Sequence, residues 1–182
     1  MACDDWSSKG GSERVNRWYA LTVAPRHEFR VREGLSSLDE VESFLPAYQD
    51  KRVWSDRTKL IEVPLFAGYV FARFDPKKLR VPVLRLGGVK SIVGFGAEPL
   101  ALADGEIESV RALVNSGFPV QQWPFLRAGQ KVRVERGPLR GTEGVIVSQK
   151  DAWMMVVSIE LLQRSVAVLL DRSVLKGIPS AA

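Results

Sequence analysis

A segment that carries Gly117, Pro119 and Pro124 divides the chain into two stretches of different sequence pattern. This segment, residues 116–127, shows no apolar periodicity, and its proline and glycine content is typical of a connector. The stretch before it mixes strand-like and helix-like patterns, whereas the stretch after it is strand-like. The 182 residues therefore predict one mid-sized unit followed by a small one.

The first stretch opens with a strand and a helix. Residues 17–23 have the aromatic and β-branched content of a buried strand. After Pro25, the residues Val31, Leu35 and Leu38 recur at spacings of four and three and line one helical face. The sequence therefore predicts a helix of about twelve residues behind the first strand.

Further strands and a second helix complete this stretch. Residues 41–48 and 53–63 read as extended segments, and 65–74 form an apolar strand in which Gly68 indicates a close backbone approach. The second helix is marked by acidic residues at its start and a buried stripe, namely Asp104, Glu106, Ile107, Val110 and Val114. This order predicts an antiparallel sheet with helices on one face, a ferredoxin-like α+β sandwich.

The second stretch predicts five short strands around a glycine-rich turn. The strands are expected at 132–134, 145–147, 153–159, 166–170 and 174–175. Such a run of short strands indicates a small barrel. The apolar residues Met155, Ile159, Leu162, Val166 and Leu169 also recur at helical spacing, so a helical fold competes with the barrel. The many β-branched residues favour the strands.

Composition and charge limit the class of protein. The net charge is +5, and between Asp50 and Lys90 ten Lys or Arg stand against four Asp or Glu, which favours anionic partners. Cys3 is the single cysteine, so no internal disulfide can form and a reducing compartment is expected. Residues 1–15 lack the basic leader and apolar core of a signal peptide and read as a mobile tail. We therefore expect a cytoplasmic protein with no membrane partner.

No pattern for catalysis or metal binding stands out. His27 is the single histidine, and Cys3 offers it no nearby partner for a Cys-His pair. The run Gly94-Phe95-Gly96 lacks the third glycine of a dinucleotide site, and no Gly-Lys-Ser/Thr phosphate loop occurs. The sequence predicts a protein that is not an enzyme and needs neither cofactor nor metal.

Three motifs, in this order, resemble the NusG family of transcription factors. They are Trp18-Tyr19 in the first strand, the apolar run Pro64-Leu65-Phe66-Ala67-Gly68-Tyr69-Val70-Phe71, and the cluster Gly137, Pro138, Gly141 and Gly144. The resemblance covers about residues 16–178 and implies a NusG N-terminal (NGN) domain at 16–115, followed by an SH3-like barrel with the KOW motif at 128–178. Ala67 departs from the proline that the family more often has.

The resemblance implies a transcription elongation and antitermination factor that binds RNA polymerase as a monomer. In the family, an apolar depression on the NGN domain grips the clamp helices of the polymerase. The matching residues here are Trp18, Tyr19, Leu65, Phe66 and Tyr69. Strand aromatics are often core, so the two tyrosines, with one apolar and one polar end, are the better anchors.

The resemblance also implies contacts outside the clamp. Basic residues that would face upstream or non-template DNA are Arg26, Arg30, Lys77, Lys78, Arg80 and Arg85, although a merely solvated basic face is equally compatible. A small-subunit ribosomal protein docks on the barrel of many relatives, at the position of Leu161, Leu162 and Arg164 here. The family's aromatic residue is missing there, so weaker docking is expected.

Two roles within the family and one outside it compete. The residues 158–166 and 86–89 resemble specialised NusG paralogues that act on particular long operons. A housekeeping role that couples transcription to translation or termination is the alternative. A KOW-bearing ribosomal or RNA-binding protein is the third possibility.

Overall fold

The computed structural model describes residues 16–53, 58–123, 131–134, 137–149 and 152–170. The predicted tail at 1–15, with Cys3, and the predicted strand at 174–175 lie outside these residues. The elements of the first stretch are β1 (Arg17–Val23), α1 (Glu28–Ser36), β2 (Glu42–Phe44), β3 (Ala47–Val53), β4 (Thr58–Pro64), β5 (Tyr69–Phe74), α2 (Pro76–Leu84), β6 (Val89–Ile92), β7 (Gly94–Phe95), β8 (Glu98–Pro99) and α3 (Asp104–Asn115). They are followed by β9 (Val120–Trp123), β10 (Lys131–Arg133), β11 (Glu143–Gln149), β12 (Ala152–Ile159), a 3-10 helix (Glu160–Leu162) and β13 (Arg164–Leu170).

Four strands form an antiparallel sheet in the order β2-β5-β1-β6, which we call the N-terminal sheet. Successive residues of a strand point to opposite faces, and both faces are covered here. Tyr19 and Leu21 of β1 pack on the side of α1 and α2, whereas Trp18 and Ala20 pack on the side of α3. The prediction that the helices share one face is therefore wrong for α3. Because both faces of the sheet are covered, β1 is buried almost without alternation.

The strand predicted at 65–74 begins only at Tyr69. Leu65 and Phe66 belong instead to a turn that ends at Gly68, whose φ is +84°. No atom lies within 4 Å of the position that a Cβ of Gly68 would take, so the glycine supplies a positive φ and not the predicted close approach.

Helix α2 was not expected from the sequence, because Pro76 and Pro82 within nine residues argue against a helix. Pro76 occupies the first turn, where its missing N–H costs nothing. The Asp75 side chain accepts a hydrogen bond from the Lys77 N–H at 2.9 Å and caps the N-terminus.

The second stretch forms a five-stranded antiparallel sheet, β10-β11-β12-β13-β9, which we call the C-terminal sheet. Strands at 131–133, 143–149, 152–159 and 164–170 agree with the prediction, and the competing helical fold is not formed in the described residues. The fifth strand is β9, which lies in the segment predicted as a linker. The described strands do not close into the predicted SH3-like barrel, because β9 and β10 remain the two edges.

The predicted KOW glycines have geometric roles in this sheet. Gly137 and Gly141 both have φ of +85°, a conformation that L side chains rarely adopt, and Pro138 lies in the turn between them. A Cβ on Gly144 would lie 2.6 Å from the Val156 carbonyl oxygen, so β11 and β12 could not approach so closely with any other residue there.

Candidate binding surfaces

The five predicted polymerase anchors do not share one exposed surface in this structure. Trp18 and Phe66 are 1% exposed and Leu65 is 2% exposed, all within the apolar cluster beside α3. Tyr19 lies on the opposite face of the sheet, where burial raises the pKa of its hydroxyl and its ring packs 5.1 Å from that of Phe74. Tyr69 alone is partly exposed.

An aromatic network supports the face of the N-terminal sheet that packs on α3. The rings of Phe66 and Phe71 meet edge to face at 5.5 Å, and the Arg111 guanidinium of α3 lies 5.1 Å above Phe44 and 5.5 Å above Trp18. Arg111 also donates to the Glu42 carboxylate at 2.8 Å. Sequence reasoning did not single out Arg111, because a helical arginine is usually a solvated charge.

The C-terminal sheet packs directly on this face. Helix α3 contacts β11 and β12, and Leu162 is buried in the same cluster as Phe66. The Arg164 guanidinium lies 5.4 Å from the centroid of the Tyr69 ring, and the Gln122 side chain donates to the Pro64 carbonyl at 3.4 Å. The structure therefore brings the predicted polymerase surface and the predicted ribosome-docking residues Leu161, Leu162 and Arg164 against each other.

Glu106 forms a polar link between α3 and the C-terminal sheet. Its carboxylate accepts a hydrogen bond from the Glu160 backbone N–H at 3.1 Å, at the start of the 3-10 helix. Burial raises the pKa of Glu106 above its ordinary value, an effect that the Glu160 N–H opposes and the Glu160 charge reinforces. The contact between the two sheets therefore holds a carboxylate that is partly withdrawn from water.

Glu28 positions the turn that carries Phe66. Its side chain is buried, and Oε1 accepts a hydrogen bond from the Gly68 N–H at 2.9 Å. The Gly68 carbonyl in turn accepts from the Val23 N–H at 2.9 Å, which ties the turn to the end of β1. Sequence reasoning missed Glu28 because its only signal was an acidic residue in the first turn of a helix, a position that such residues favour for the helix dipole alone.

The predicted nucleic-acid-binding residues form two groups at the two ends of α2. Lys77 and Lys78 are exposed in its first turn with Arg80 following, and the Lys78 ammonium lies 4.0 Å from the Glu40 carboxylate. Arg85 is the C-terminal cap of α2. The turn after it packs on the start of α1, where His27 lies beside Gly88 and the Arg30 guanidinium approaches Gly87. Exposed Arg26 precedes His27.

The described part of the chain holds neither a cluster of metal-binding side chains nor a helix that could span a membrane. No three His, Cys, Asp or Glu residues among those described come together as a potential metal-binding group. None of the helices that the structure describes has the length and apolar character needed to cross a bilayer.

A sequence model of the family described as "Transcription termination factor nusG" matches residues 16–111, more than half of the chain. The chain belongs to the NusG family. The match begins at the strand that carries Trp18 and Tyr19 and ends within α3, so it covers the whole N-terminal sheet.

NusG proteins of known sequence and structure are similar to this chain over most of its length. The transcription termination/antitermination protein NusG of Helicobacter pylori (strain J99) is 25% identical over 131 residues, 66% of this chain and 74% of that protein. NusG of Borreliella burgdorferi is 21% identical over 173 residues, 85% of this chain and 94% of that protein. A structure of Thermotoga maritima NusG, described as showing a domain interaction, covers 87% of this chain with a TM-score of 0.54 and 21% identity.

Family membership confirms the predicted class of function. The chain is a NusG-family transcription termination/antitermination factor, and NusG proteins are transcription factors and not known enzymes. The fold is NusG-like, and the residues that the structure describes form three α-helices and separate sheets.

Proposed function

We propose that this NusG-family chain binds RNA polymerase at the clamp helices and suppresses pausing, so that transcription becomes more processive. The observation that carries the proposal is the position of Tyr69, a partly exposed aromatic residue next to the buried Phe66 turn on the face that α3 and the C-terminal sheet cover. Aromatic residues with one apolar and one polar end are typical interface anchors. Trp18, Leu65 and Phe66 then serve as the packed base beneath that surface, and buried Tyr19 packs on the opposite face of the sheet.

The C-terminal sheet would have to leave this surface before a clamp helix could bind there. Arg164 covers the Tyr69 ring, and Leu162 is buried against the same cluster. The C-terminal sheet and the clamp helix would compete for one apolar face. Because the sheet belongs to the same chain, its local concentration is high, and the clamp helix must bind tightly enough to displace it. Release would also free Leu161, Leu162 and Arg164, which we propose as the ribosome-docking residues.

The basic groups at α2 supply a second, electrostatic contact in this proposal. Lys77, Lys78 and Arg80 are accessible on the opposite face of the N-terminal sheet from α3. Positive side chains attract phosphates without base specificity, so upstream or non-template DNA is a suitable partner. Arg26, Arg30 and Arg85 would extend the same interaction to the other end of α2.

The proposed role is that of a specialised paralogue acting on long operons, and it rests on residues 158–166 and 86–89. A housekeeping role with ribosome docking is the second candidate. Its supporting observation is that Arg164 is exposed and lies beside the 3-10 helix that bears Leu161 and Leu162.

Binding of the full chain to purified core RNA polymerase tests the proposal. We expect nuclease-resistant binding that an excess of clamp-helix fragment displaces, together with faster passage through a pause site in a reconstituted transcription assay. Association with ribosomal subunits alone, lost on nuclease treatment, would instead support an RNA-binding protein. Elongation measured on several templates with and without long-operon leader sequences separates the specialised from the housekeeping role.

A further inference from the structure

The hairpin formed by β7 and β8 presents a phenylalanine that the fold does not use. In this hairpin Gly94 pairs with Pro99, and Phe95 pairs with Glu98. The hairpin follows β6 at the edge of the N-terminal sheet, and the chain then returns to the sheet at Leu102, which pairs with Trp18. The Phe95 side chain is 85% exposed, the largest exposure among the large apolar residues that the structure describes. Leu100, which follows the hairpin, is 44% exposed.

The backbone of this hairpin is specified even though its side chain is not buried. A Cβ on Gly94 would lie 2.1 Å from the Glu98 carbonyl oxygen, so the two strands can meet there only at a glycine. Gly96 has φ of +58° and opens the two-residue turn, the position where such hairpins favour glycine. Two glycines therefore define the geometry of a hairpin in which the Phe95 ring lies beside the turn and is not buried by the rest of the fold.

The charge around the hairpin identifies the kind of partner. Between Lys90 and Arg111 the chain has no lysine or arginine, Glu98 lies in the hairpin itself and Asp104 begins α3. Glu98 and Asp104 are exposed. An acidic surface repels phosphates and anionic lipid, so an apolar tip in this setting does not suit a nucleic acid or a membrane. It suits a protein pocket with an apolar floor and a basic rim.

We propose that the Phe95 hairpin is a second docking element for RNA polymerase, inserted into an apolar pocket bordered by Lys or Arg. The proposal rests on the proposed function for the identity of the partner. The hairpin is exposed while the C-terminal sheet covers Tyr69, so it can engage the polymerase before the Tyr69 surface becomes free. Early contact at the hairpin would bring the polymerase close to the surface that is still covered.

The test measures the affinity of full-length chains for purified core RNA polymerase. The variants are Phe95→Ser, Tyr69→Ala and, as a matched control that removes another exposed apolar side chain, Leu169→Ser. We expect Phe95→Ser to weaken binding about tenfold or more, as for an aromatic anchor, with an unchanged melting temperature. Leu169→Ser should bind as the wild type does. Glu98→Lys should weaken binding most at low salt, since it removes the charge complementarity.

Other outcomes separate the two proposals. If Tyr69→Ala weakens the complex but Phe95→Ser binds the polymerase with the same affinity as Leu169→Ser, the hairpin proposal is overturned. The proposed function is then left intact. If neither the wild type nor a Glu106→Arg variant, which loses the hydrogen bond to the Glu160 N–H, binds the polymerase, both proposals are overturned. A Phe95→Ser defect in binding single-stranded oligothymidine or phosphatidylglycerol vesicles, with polymerase affinity unchanged, would show that the acidic surface does not select a protein.

Discussion

The Arg164 guanidinium lies 5.4 Å from the centroid of the Tyr69 ring, and this contact joins two residues for which the sequence predicted different partners. Tyr69 was expected to anchor the polymerase and Arg164 to dock a ribosomal protein. In the structure the two side chains contact each other and Leu162 is buried beside them, so neither surface is fully accessible while the C-terminal sheet is in place. One opening event would expose both, which couples the two proposed partners.

Replacing Tyr69 with Ala should weaken polymerase binding by about 1–3 kcal/mol, because a partly exposed aromatic anchor is lost. Tyr69→Phe keeps the ring and should bind nearly as the wild type does. Arg164→Ala removes the ring's cover and should not lower affinity. Titration of each variant with a clamp-helix fragment, beside a melting curve, measures both properties. A Tyr69→Ala chain that is folded and binds with wild-type affinity would remove Tyr69 from the interface.

Changing Lys77, Lys78 and Arg80 together to Gln should reduce antipausing activity and flatten its salt dependence, because fewer counterions are released from DNA. Cations in the first turn of α2 oppose the helix dipole, and the exposed pair between Lys78 and Glu40 contributes little, so stability should not fall. Pause-site transcription at several salt concentrations gives the slope, with Arg133→Gln as a single-charge control. Equal loss of clamp binding would mean that these residues hold the polymerase itself.

The raised pKa of Glu106 predicts a pH-dependent contact between the sheets. An acid whose pKa is higher in the folded protein binds its proton more tightly there, so stability falls as pH rises from the ordinary glutamate range through the folded pKa. Glu106→Gln keeps an oxygen acceptor for the Glu160 N–H but cannot ionise. The difference in melting temperature between wild type and variant should therefore grow in favour of Gln on going from acid to neutral pH. A difference that stays constant across this range would contradict the assignment.

Glu28→Ala should destabilise the fold by about 1–3 kcal/mol, because the Gly68 N–H loses its acceptor in a part-buried site. Glu28→Gln retains an acceptor and should lose less. Denaturant unfolding of both variants measures the effect, and Glu33→Ala, at an exposed position of the same helix, is the control. If Glu28→Ala and Glu33→Ala unfold at the same denaturant concentration, the Gly68 contact is not stabilising.

A C-terminal fragment should be more stable when it includes β9. Residues 120–123 pair with β13, and the Leu169 N–H donates to the Pro119 carbonyl at 3.3 Å. A fragment of residues 118–182 should therefore show more strand by circular dichroism and melt higher than one of residues 127–182. Identical melting of the two fragments would place the domain boundary at the predicted linker after all.

The sequence was most informative where periodicity and burial agree. The strand with Trp18, the stripe Val31-Leu35 and the helix from Asp104 were predicted because apolar spacing directly reflects which face is buried. Helix α2 was not predicted, because two prolines within nine residues argue against a helix. The one feature that favours it is the Asp75 N-cap, which depends on a single hydrogen bond. Glu28 and Arg111 could not be recognised, since their roles depend on partners 40 and 69 residues away. The contact between the two sheets was not predicted either. The apolar residues of each surface are equally well explained by burial in the core of their own domain.

The short connection between α3 and β9 limits how the chain can open. Only residues 116–119 separate these elements, and the five peptide steps from Asn115 to Val120 reach about 17 Å when extended. As long as β9 stays paired, the start of β9 remains within about 17 Å of the end of α3, so the detached C-terminal sheet stays close to the N-terminal sheet. Its effective local concentration is then set by geometry and is high, so rebinding is fast. A partner that first separates β9 from β13 would lengthen this connection. The effective concentration of the C-terminal sheet at the Tyr69 surface would then fall, and the partner would compete with it more easily.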